Sequence, residues 1–130
     1  MPKLESLKDY KGFTLIEIIA VLVILGILMA MAIPRYFDLQ IEAQNKAIEG
    51  AMASLQSVAN QDYAKQILTG NANGTSYQPT TAYQMPNGVP LGDFNGQITG
   101  SGNNLTLTLN SGPPWFERSN ANKSKTVQLF

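Results

Sequence analysis

The sequence predicts an α+β fold in which one long N-terminal helix packs on a small antiparallel sheet of three or four strands. Three observations lead there. An apolar run with a single charged residue begins almost at the N-terminus, an amphipathic helical pattern continues directly from it, and short alternating segments divided by Gly, Asn and Pro fill the C-terminal third.

The apolar run comes first. Phe13 to Ile33 is twenty-one residues long and contains one ionisable side chain, Glu17. An apolar helix of about 20 residues spans the ~30 Å hydrocarbon core of a bilayer, so this segment is long enough to cross a membrane. A carboxylate inside such a segment costs roughly 2.5–3.5 kcal/mol on insertion scales and marks a function or a partner. No Lys or Arg stands between Lys11 and Arg35 to meet it. A cut after Gly12 would create a cation, because Phe13 would then carry a free α-amino group at the head of the apolar helix. The competing expectation is a Glu17 that snorkels to the membrane surface one turn from the start of the segment.

Ahead of this run, Met1 to Gly12 has the character of a leader. Lys3, Lys8 and Lys11 outnumber Glu5 and Asp9, which predicts a cytoplasmic N-terminus. An ordinary secretory signal cut after Ala30-Met31-Ala32 is the alternative. The length of the run, the intrusion of Glu17 and the helical continuation beyond Ala32 all weigh against it.

From Arg35 the pattern becomes amphipathic. Ile41, Ile48 and Leu55 recur at intervals of seven, and Ala51, Met52, Val58, Ala59, Tyr63 and Ile67 extend the same stripe. Asp38, Glu42, Gln44, Lys46, Glu49, Gln56 and Asn60 take the opposite face. Leu68-Thr69-Gly70-Asn71 supplies a C-terminal stop, with Lys65 in the last turn where a cation suits the helix dipole. Within the helix, Gly26 lowers propensity and Pro34 removes one backbone hydrogen bond, which predicts a bend near Met31.

Asn71 to Gly92, rich in Gly, Asn, Thr, Pro and Gln, predicts a long surface connection. Strand signals follow at Gln97-Ile98-Thr99, at Leu105 to Leu109, whose three Leu share one face, and at Thr126 to Phe130. Trp115-Phe116 follows Gly112-Pro113-Pro114 and is expected to form an apolar plug at the edge of the sheet.

Composition narrows the function. The formal net charge is zero, so no electrostatic recruitment of nucleic acid is expected. There is neither Cys nor His, which removes disulfides, thiolate metal sites, His ligation and His acid–base catalysis. Beyond Asp62 the only carboxylates are Asp93 and Glu117, too few for the oxygen-rich shell that calcium needs. No catalytic residues, no metal site and no cofactor are therefore expected, and the chain is not expected to be an enzyme.

Gly12-Phe13-Thr14-Leu15-Ile16-Glu17, followed by the apolar run, resembles the class III signal of type IV prepilins and the related pseudopilins. The resemblance is close from Lys11 to about Gln40 and general beyond that. It implies the type IV pilin fold and a structural role without catalysis. It implies cleavage between Gly12 and Phe13 by a prepilin peptidase and N-methylation of Phe13. It implies that Glu17 serves assembly, that Gly26 and Pro34 bound a segment able to lose helical order in the filament, and that the partners are further copies of the chain and an inner-membrane assembly machinery. The implied organisation is a removed leader over 1–12, a membrane or filament-core half-helix over 13–34, and the amphipathic half-helix with its globular head over 35–130. The precursor would sit in the inner membrane with its head outside, and the assembled filament would be extracellular. A type II secretion pseudopilin shares this N-terminal logic, and a monomeric single-span anchored binding protein is the reading from another class. Many pilins close their C-terminal region with a disulfide, and this chain, without Cys, must do so by packing and hydrogen bonds.

Overall fold

A computed structural model of the chain describes residues 12–73 and 77–129. The chain divides into two compact units, Met1–Asp38 and Leu39–Phe130. The expected leader, apart from Gly12, and the end of the expected last strand at Phe130 lie outside the described residues.

Helix α1, Leu15–Leu68, contributes to both units. In the first unit every described residue is exposed, so the apolar run is covered by nothing within that unit. By length and composition it is the one described helix able to cross a membrane. The helix continues through Gly26 and Pro34. Its C-terminus closes where the sequence predicts. Gly70 takes φ +74, its N–H donates to Ile67 O at 3.0 Å, and Asn71 N–H donates to Gln66 O at 2.8 Å. This pair of bonds is the Schellman arrangement, and a left-handed residue at that position is what glycine supplies.

In the second unit four strands form an antiparallel sheet in sequence order: β1 Val89–Leu91, β2 Phe94–Ser101, β3 Asn104–Ser111 and β4 Ser124–Gln128. Their alternation decides what they bury. Phe94, Gly96 and Ile98 of β2, Leu105, Leu107 and Leu109 of β3, and Val127 of β4 face the core. Outward positions such as Gln97, Thr99, Thr106 and Thr108 stay half-exposed. Against the inner face α1 buries Ile48, Ala51, Met52, Leu55, Ala59 and Asp62. Phe116, in the short 3-10 helix Phe116–Arg118, is 2% exposed and packs edge-on to Phe94 at 5.8 Å, with Trp115 edge-on to the same ring at 5.9 Å. The aromatic plug is therefore real, and it seals the start of β2.

Two expectations change. The helical stripe is shorter than the periodicity predicts, because Ile41 is 56% exposed and Ile67 44% exposed. A sheet of short strands covers only the turns from Ile48 to Asp62. The segment 71–92 is also more than a surface connection. It holds the short helix α2, Thr81–Gln84, and strand β1, and it buries Tyr77 and Pro79. Strand β1 hides from pattern reading because it has three residues with a Pro in the middle, which only an edge strand tolerates. The other edge is β4, which carries Lys125.

The C-terminal segment is held without cysteine. Besides its pairing with β3, Leu129 N–H donates to Asn103 Oδ1 at 3.0 Å, and the Lys123 ammonium stands 4.4 Å above the Phe116 ring.

Candidate functional site

The chain enters α1 through three non-helical residues, Gly12, Phe13 and Thr14. Phe13 is 84% exposed. Thr14 caps the helix, and it does so reciprocally with Glu17. The Thr14 hydroxyl accepts from Glu17 N–H at 3.3 Å, and Glu17 Oε2 accepts from Thr14 N–H at 2.8 Å and from the Thr14 hydroxyl at 2.9 Å. This is a capping box, in which a Thr and an acid three residues later satisfy two amides that no turn of helix can reach. Both bonds fall on Oε2, and among the described residues Oε1 takes none. The carboxylate also lies in the first turn of α1, where the helix dipole favours negative charge.

Around it, Phe13, Ile18, Ala20 and Val21 line one open cleft with Glu17. The structure thus brings Phe13 and Glu17 together, with Gly12 just ahead of them. Gly26 and Pro34 lie farther along the helix and are no part of this cleft. Sequence reasoning sought a cation for Glu17 and passed over Thr14. The signal was present, since Thr-x-x-Glu ahead of an apolar run is the written form of a capping box.

A second constellation escaped it too. Asp62 is 7% exposed, and its carboxylate accepts four hydrogen bonds. Tyr77 hydroxyl (2.8 Å), Thr80 N–H (3.0 Å) and Gln66 Nε2 (3.0 Å) donate to Oδ2, and the Thr80 hydroxyl (2.6 Å) donates to Oδ1. Burial pushes the Asp62 carboxyl up, but the bonds from Thr80, Tyr77 and Gln66 outweigh it and hold the group below its ordinary value. Burial and the neighbouring Asp62 charge push the Tyr77 hydroxyl well above the ordinary tyrosine range. The seven-residue series Ile41, Ile48, Leu55 lands next on Asp62, so a carboxylate on the core stripe was legible. Among the described residues no three His, Cys, Asp or Glu side chains come together to hold a metal ion.

Comparison with known proteins joins this geometry to a family. The Prokaryotic N-terminal methylation motif matches residues 7–33, the segment containing Gly12, Phe13, the capping box and the apolar run. The type IV narrow pilus major component PilA5 of Thermus thermophilus is 35% identical over 119 residues, which is 92% of this chain and 95% of that protein. The chain belongs to the type IV pilins. This pilin is a structural subunit of a pilus, and its methylation motif marks it for processing by a prepilin peptidase. A fimbrial protein of Pseudomonas aeruginosa is 42% identical over 73 residues, 56% of the pilin and 45% of the relative. The type IV major alpha-pilin of Moraxella bovis is 46% identical over 44 residues, 34% of the pilin and 28% of the relative. No solved structure matches the pilin significantly.

Proposed function

We propose that the pilin is cut between Gly12 and Phe13, that the new amine of Phe13 is methylated, and that Glu17 pairs with this amine on a neighbouring copy as the filament grows. Before assembly residues 13–34 cross the inner membrane, with the leader 1–12 in the cytoplasm and the head, 35–130, outside. During assembly the apolar half-helices leave lipid for a shared core, where close packing replaces lipid contacts. A subunit docked out of register would leave a carboxylate unpaired in apolar surroundings, a penalty of several kcal/mol. Glu17 thus selects register. The contact is heterologous and does not close, so it propagates as a helical filament. Between Gly26 and Pro34 the helix loses order in the filament, because Gly and Pro weaken it there. The role is structural rather than catalytic, and the partners are further copies, the peptidase and the inner-membrane assembly machinery.

The observation that carries this reading is the carboxylate itself. Glu17 stands beside Phe13 in an apolar cleft, with Oε2 engaged by Thr14 and Oε1 open to a further donor among the described residues. The test is mass spectrometry of the N-terminal peptide from filaments sheared off whole cells. A peptide starting at N-methyl Phe13 is expected. A sheared subunit that starts at Met1 overturns the processing, and one that starts at Ile33 means an ordinary secretion signal.

A further inference from the structure

The Asp62 cluster joins four separate parts of the head. Asp62 and Gln66 belong to α1, and Tyr77, Gln78 and Thr80 belong to the connection that leaves it. Gln66 Nε2 reaches both Asp62 and Gln78 O, the latter at 2.9 Å. Tyr77, with 0% exposure, presents its hydroxyl to Asp62, its ring edge-on to Tyr63 at 5.2 Å, and its carbonyl to Gly102 N–H at 2.7 Å. Gly102 and Asn103 form the turn between β2 and β3, and Asn103 in turn holds Leu129 near the C-terminus. One carboxylate therefore stands at the head of a hydrogen-bonded series from helix to connection, to hairpin turn, to C-terminal segment.

We propose that this series is a charge-set latch: ionised Asp62 closes residues 77–88 of the connection onto α1 and the β2–β3 turn, and protonation of that one carboxylate releases them while the sheet stays folded. The latch does the work of a disulfide without cysteine, and it stands independently of how the subunits assemble.

The donor set supports this. A carboxylate offers about four acceptor sites when ionised, and here four donors converge on it, three at Oδ2 and one at Oδ1. Thr80 N–H and Gln66 Nε2 can only donate, so a proton on Oδ2 would face two groups unable to receive it. A proton on Oδ1 could be taken by the Thr80 hydroxyl after reversal. The three bonds to Oδ2 would then fall from charge-assisted to ordinary strength, which is roughly half. Among the described residues no cation bonds to Asp62. Among the described residues the groups bonded to Asp62 are Tyr77, Thr80 and Gln66. The titratable neighbours are Tyr63 on α1, stacked on Tyr77, and Tyr83 in α2, whose field reaches Tyr77. Lys65, next along α1, is exposed, and the β2–β3 turn contributes the uncharged Gly102 and Asn103. A carboxylate favoured in its charged form by the fold stabilises above its unfolded pKa, and that contribution disappears as pH falls through the lower, folded value. The latch is therefore set at neutral and mildly acidic pH and opens only in strong acid.

Hydrogen exchange on the full chain in detergent tests this, with rates corrected for the intrinsic pH dependence of exchange. The reporters are the amides of Thr80 and Gly102, which donate within the series, and the β3 amides of 104–111 as a control. From pH 7 down to pH 1.5 the wild type is expected to lose tenfold or more protection at Thr80 and Gly102 and to keep it in β3. Asp62→Asn is expected to be open already at pH 7 and to change no further. Should Asp62→Asn fail to fold, Thr80→Val removes only the hydroxyl donor, and its connection is expected to open at higher pH than in the wild type. Unchanged Thr80 and Gly102 protection at pH 1.5 overturns the latch. So does a β3 that loses protection together with them, or a Thr80→Val chain whose opening pH matches the wild type.

Discussion

Gly96 of β2 lies directly beneath Leu55 of α1: a Cβ placed on Gly96 would stand 2.8 Å from Leu55 Cδ2 and 3.1 Å from Thr108 O. Leu55 is wholly buried, so its methyl cannot swing into solvent. The absent side chain sets how closely helix and sheet approach. Gly96→Ala is expected to destabilise the head by about 1–3 kcal/mol through overpacking. Leu55→Ala is expected to cost about 2–5 kcal/mol through the cavity it leaves. The double variant should cost clearly less than the two together, since the cavity of one receives the methyl of the other. Urea unfolding of the three chains measures this, and strict additivity would contradict the contact.

Glu17→Ala should leave the head folded and abolish filaments, because it removes the acid half of the capping box together with the pairing carboxylate. Thr14→Ala removes only the cap, at about 0.5–2 kcal/mol of helix stability, and is expected to reduce filament yield without abolishing it. Quantifying sheared filaments from both strains separates the two roles of the acid. Normal filament number and length in Glu17→Ala would sink the pairing.

Replacing Gly12 with a bulkier residue, as in Gly12→Val, should leave an uncut precursor in the membrane fraction. Among the described residues nothing lies within 4 Å of a Cβ placed on Gly12, so the substitution meets no clash with them. Any processing defect then reads the peptidase step itself. Finding the mature Phe13 N-terminus in this variant would refute the assigned cut.

Alkali should loosen the head through Tyr77. Its hydroxyl ionises less readily when folded than when unfolded, so its contribution is complete below about pH 10, the ordinary tyrosine value, and is lost as pH rises above it. Stability by urea midpoint is expected to fall between about pH 10 and 12. Tyr77→Phe should flatten that slope and lower neutral-pH stability by about 1.5–3 kcal/mol, the worth of one hydrogen bond to a charged group. A slope identical in both chains would remove Tyr77 from the account.

Most of the fold is legible because its periodicities are strong. The apolar run, the seven-residue spacing of Ile48 and Leu55, the Gly70 stop and the alternating Leu of β3 each point to the element that forms. What eluded reading depends on pairing across the chain. Val89-Pro90-Leu91 is a strand only because β2 receives it, and Asp62 is satisfied only because a segment fifteen residues away supplies Tyr77. At the candidate site, residue type and order single out Gly12, Phe13 and Glu17. Thr14 was missed because a carboxylate in an apolar run calls for a charge, whereas the first partners of Glu17 are the amide and hydroxyl of the residue that caps its helix.

The two edges of the sheet carry a last consequence. A filament holds its subunits at a concentration no solution reaches, and at such crowding any bare strand edge invites cross-β fusion with its neighbour. Here β1 ends the sheet in three residues around Pro90, which has no N–H to give, and β4 ends it with Lys125 within the strand. Heads pressed side by side are thus denied amyloid-like annealing, and growth is left to the helices.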